Sequence, residues 1–60
     1  MGFKKADVLK RIRLNSSAAV SLRKRGCEED AKRYDAIVAG QLTLATREGF
    51  LKEAQAAVAK

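Results

Sequence analysis

Sixty residues make one domain at most, and a chain this short buries only ~60% of the surface its unfolded form exposes. One cysteine excludes an internal disulfide, and the lack of histidine leaves too few N/S donors for a zinc site, which wants about four. The net charge of +6 is one-sided: residues 1–25 hold eight cations against Asp7 alone, while residues 26–60 hold five against six carboxylates.

The start of the chain carries no evident targeting segment. Lys10, Arg11 and Arg13 interrupt what would be the apolar stretch of a signal peptide after Met1-Gly2-Phe3-Lys4-Lys5. Ala6 stands where a myristoylation signal wants Ser or Thr. Without a secretion signal the sequon Asn15-Ser16-Ser17 has little weight, and no apolar run approaches the ~18 residues of a spanning helix. A cytoplasmic, reduced setting is the default expectation.

Proline is absent, and Ala, Lys, Arg, Glu and Leu, all good helix formers, dominate. Over residues 4–25 the positions Val8, Ile12, Asn15, Ala19, Leu22 and Gly26 recur in steps of four and three, which keeps them on one helical face, with Leu9 widening it. Asn15 inside that stripe is either a polar residue fixing register, as in coiled coils, or, with Ser16 and Ser17, the site of a kink or a new helix start.

The turn is written in charge. Arg23-Lys24-Arg25 complement the negative C-terminal end of one helix, and Glu28-Glu29-Asp30 complement the positive N-terminal end of the next. Gly26 between them supplies the left-handed residue that ends helices. Cys27 reads as a small packing residue at the tip of a helical hairpin, and the less favoured alternative is a thiol activated by its basic neighbours.

A second stripe, Ala31, Tyr34, Val38, Leu42 and Ala45, with Cys27 at its start and Ile37 beside it, faces the first. Small residues at 19, 26, 31 and 45 allow close helix approach. Tyr34 on the seam reads as a core residue whose hydroxyl reaches water. The apolar phase then changes: Phe50, Leu51, Ala54, Ala57 and Val58 point nearly opposite to Val38 and Leu42 on a continuous helix. This predicts a break near 43–46, capped by Thr43 or Thr46, and a third helix near 46–59. The expected fold is all-α: an antiparallel hairpin of about 4–25 and 28–43 with a short C-terminal helix, oligomeric or partner-stabilised. Leu42, Phe50, Leu51, Ala54 and Val58 are the expected association surface.

Catalytic chemistry has little to stand on. No histidine is available as a proton shuttle, Cys27 has only lysines or carboxylates as bases, and phosphate loops and dinucleotide fingerprints are missing. The chain reads as a non-enzyme without cofactor or metal. The cations Lys4, Lys5, Lys10, Arg11 and Arg13, at the open end of the hairpin, and Arg23, Lys24 and Arg25, at its tip, are the candidate binding residues. The anions at 28–30 partly neutralise the tip group.

An acidic protein surface is the favoured partner, and nucleic acid the alternative. A helix-turn-helix centred on Gly40 puts Thr46 and Gly49 where branched apolar residues belong, and one centred on Gly26 puts Lys32 and Asp35 there. Only Ile12-Arg13-Leu14 alternates as the strand of a ribbon-helix-helix would. Phe3, Tyr34 and Phe50 are too scattered for base stacking. Nucleic-acid binding would thus be phosphate-directed and salt-sensitive. A membrane surface ranks third, since the first helix has no Trp.

Overall fold

The computed structural model describes residues 4–59. They form α1 (Lys5–Lys24), α2 (Glu28–Glu48) and α3 (Leu51–Ala57), with no strand among the described residues. α1 and α2 form the expected antiparallel hairpin. α3 turns back from the end of α2 and runs beside the N-terminal half of α1, pairing Glu53 with Lys5 and bringing Ala59 to Ser16. Phe3 lies outside the described residues.

Both long helices end by the same device. After α1, Gly26 adopts φ 83°, its N–H bonds the Arg23 carbonyl at 3.1 Å, and the Cys27 N–H reaches the Leu22 carbonyl at 2.8 Å. After α2, Gly49 adopts φ 86°, bonds the Thr46 carbonyl at 3.4 Å, and the Phe50 N–H reaches the Ala45 carbonyl at 2.9 Å. In each, the left-handed residue lets the chain reverse while its amides satisfy carbonyls the helix leaves open.

The second of these turns corrects the expected break. α2 does not stop at 43–46: the Thr43 and Thr46 hydroxyls donate back to the carbonyls of Ala39 and Leu42, so neither caps a helix start. Gly49 ends the helix and re-aims the chain, which accounts for the change of apolar phase. α1 is likewise unbroken through Asn15-Ser16-Ser17. Ser16, buried, donates to the Ile12 carbonyl at 2.6 Å and accepts the Ala59 N–H at 2.8 Å, so its hydroxyl is satisfied without disturbing the helix. Asn15 lies in the seam, where its amide N–H₂ faces the Gln41 side-chain oxygen at a long 3.4 Å.

The core is made at the base, where all three helices meet. Val8, Ile12, Val38, Ala45, Phe50 and Ala54 form one buried cluster, with Leu9, Leu42, Leu44, Ala57 and Val58 packed against it. Ile12 is its fully buried anchor, 0% exposed. Toward the tip only Ala19 and Ala31 are buried, flanked by half-buried Leu22 and Tyr34. Cys27 and Gly26 are exposed in the turn, so the expected packing role of Cys27 does not hold.

Candidate functional site: the outer face of α1

At about 100° per residue, Val8, Ile12, Ser16 and Ala19 fix which side of α1 is buried. The opposite side carries Lys10, Leu14, Ser17, Ser21 and Lys24 in one line, with Arg13 on one flank and Arg11 and Arg25 on the other. All are exposed. Lys10 to Lys24 spans ~21 Å at about 1.5 Å per residue.

Folding divides the eight cations of residues 1–25 into two kinds. Lys5 is committed to Glu53, Nζ to carboxylate at 3.0 Å. Arg23 bridges the turn: its Nε donates to Glu28 at 3.0 Å and its guanidinium to Asp35. The hydrogen bond to Asp35 first, and that to Glu28 second, hold the Arg23 proton more firmly than in a free guanidinium. Both residues thus serve the fold. Lys4, Lys10, Arg11, Arg13, Lys24 and Arg25 are exposed and form no ion pair among the described residues. The neutralisation expected at the tip reaches Arg23, through Glu28 and also through Asp35, which lies twelve residues away in sequence and was not foreseen.

Two apolar features lie among the free cations. Leu14, 58% exposed, sits on the outer line one turn after Lys10 and Arg11. On the other side of Lys10 and Arg13, Leu9, Ala56 and Ala57 line a shallow open concavity between α1 and α3. Sequence reasoning passed over Leu14 as a surface feature. Its signal was its phase, since it falls nearly opposite the buried stripe.

The expected association surface fares differently. Phe50 and Ala54 are buried in the chain's own core, and Leu42, Leu51 and Val58 are half-buried, so the surface is largely used within one copy. Among the described residues no three Cys, Asp or Glu side chains converge as metal ligands, and no helix is long and apolar enough to cross a membrane.

The chain matches none of the family models, curated proteins or solved structures with which it was compared.

Proposed function

We propose that this is a small non-enzymatic binding protein that docks an acidic, partly apolar surface of a larger protein through the outer face of α1. The observation that carries the reading is Leu14: a large aliphatic side chain, mostly exposed, set among Lys10, Arg11 and Arg13, none of which has an ion partner among the described residues. An apolar anchor ringed by charge is the usual anatomy of a protein interface, where a few well-packed residues carry most of the affinity and the polar rim sets orientation. The concavity at Leu9, Ala56 and Ala57 adds carbon on the far side of the same cations. A phosphate backbone gains nothing from either.

One observation favours the nucleic-acid alternative. Ser17 and Ser21 lie between Lys10 and Lys24, and hydroxyls beside cations are common donors to phosphate. Two variants separate the readings. In affinity capture from the source cell extract, a protein retained by the native chain should be lost with both Leu14→Ser and Lys10→Glu/Arg13→Glu. Truncating an anchor of this kind typically weakens binding by about tenfold or more. Micromolar binding to duplex or single-stranded oligonucleotides that collapses with salt, depends on Lys10 and Arg13, and ignores Leu14→Ser would replace the protein reading with the nucleic-acid one.

A further inference from the structure

The second half of α2 poses a different question. From Ala36 to Thr46 there are eleven residues without a charge, in a chain that is 33% charged. Ile37 is 48% exposed there. Gly40 sits mid-helix, outside the left-handed region, and a Cβ added to it would meet nothing within 4 Å. Glycine is the poorest helix-interior residue after proline, and nothing in the folded monomer requires one at this position. Its missing side chain leaves the helix surface open there to something approaching from outside.

The positions around it form a stripe: Asp30, Arg33, Ile37, Gly40, Leu44 and Arg47, in steps of three and four. All are exposed except Leu44, which is half-buried, and Asp30, Arg33 and Arg47 form no ion pair among the described residues. The stripe is complementary to its own reverse. Laid antiparallel on a second copy about a two-fold axis between residues 38 and 39, Ile37 faces the open space at Gly40 of the other chain. Asp30 meets Arg47, and the aliphatic stem of Arg33 covers Leu44, each contact occurring twice. A parallel pairing instead stacks Asp30 on Asp30 and Arg47 on Arg47. We infer that this face of α2 is an isologous dimer interface, and that its occupant is a second copy of the chain. The axis lies on α2 and uses no residue of α1, so the dimer presents two copies of the basic face.

Sedimentation equilibrium of the full chain over a range of concentrations tests this directly. The expected result is a concentration-dependent dimer. Gly40→Leu should raise the dissociation constant by about tenfold or more, because it fills the space Ile37 enters. Its helical circular-dichroism signal should be undiminished, since leucine is the better helix former. Asp30→Arg should also weaken the dimer, and Asp30→Arg/Arg47→Asp should restore it, the restoration being a coupling that two independent surface changes do not produce. A chain that stays monomeric at all concentrations, a dimer indifferent to Gly40→Leu, or a failure of the double exchange to restore association would each overturn the inference. So would a face that is covered only by a different protein.

Discussion

At the base of the molecule three helices meet around Val8, Ile12, Val38, Ala45, Phe50 and Ala54; at the tip two helices meet around Ala19 and Ala31. The base is held by buried carbon, a short-range force that salt leaves intact. The tip is held by a glycine turn and by Arg23 reaching Glu28 and Asp35 across it, in a setting open to water and counterions. One hairpin thus has a dry end and a wet end, and stability should run down the long axis from one to the other. Amides near the tip are expected to exchange with solvent sooner than those beside Ile12 and Val38.

The contrast can be broken from the dry end. Phe50→Ala removes the residue that seats α3, leaving the base as two-layered as the tip. Loss of a buried phenylalanine costs about 3–5 kcal/mol, close to the whole stability of a domain this size at roughly 0.05–0.15 kcal/mol per residue. A thermal melt followed by circular dichroism should therefore show a largely unfolded or barely cooperative chain. A variant that melts like the native protein would mean that the core does not depend on α3.

The two glycine turns sharpen the comparison, because they are alike while their surroundings differ. Gly26→Ala and Gly49→Ala each force a side chain into the left-handed region at a cost of roughly 1–2 kcal/mol. Neither new Cβ would meet an atom within 4 Å, so the strain is the backbone's alone and the two losses should be nearly equal in denaturant titration. A much larger loss at Gly49 would show that the base adds a packing penalty. The smallest effect belongs to Arg23→Gln. It should leave the melting curve almost unmoved and accelerate amide exchange only around the turn, with the difference shrinking as salt is raised. An equal change at the base would contradict the division.

Much of this architecture was legible in the sequence. The first turn was readable because Gly26 stands between three cations and three anions, and both seam stripes follow from spacing alone. The end of α2 was not. A change of apolar phase requires a break but does not locate it, and Thr43 and Thr46 resemble caps until their hydroxyls are seen bonding backward. The deciding sign was a repeat of the first turn: a glycine that takes a positive φ, followed by a residue whose amide bonds back into the helix. Phe50 and Ala54 were read as an association surface because periodicity marks a face as apolar without saying whether the same chain covers it. The basic face was legible as charge, but Lys5 and Arg23 left it through partners 48 and 12 residues away, pairings that exist only once the helices are packed.

The return of α3 along α1 has a consequence in time. The contacts nearest in sequence are those across the two glycine turns, so they are the cheapest to close from an extended chain. Those at the Gly26 tip bury the less carbon of the two. The strongest cluster joins Val8 to Ala54 and must wait for nearly the whole chain to be gathered. Until α3 docks, a paired α1 and α2 therefore leave their apolar faces uncovered where Phe50 and Ala54 come to sit. For that interval the chain carries an open greasy base, and the closing of α3 completes the core.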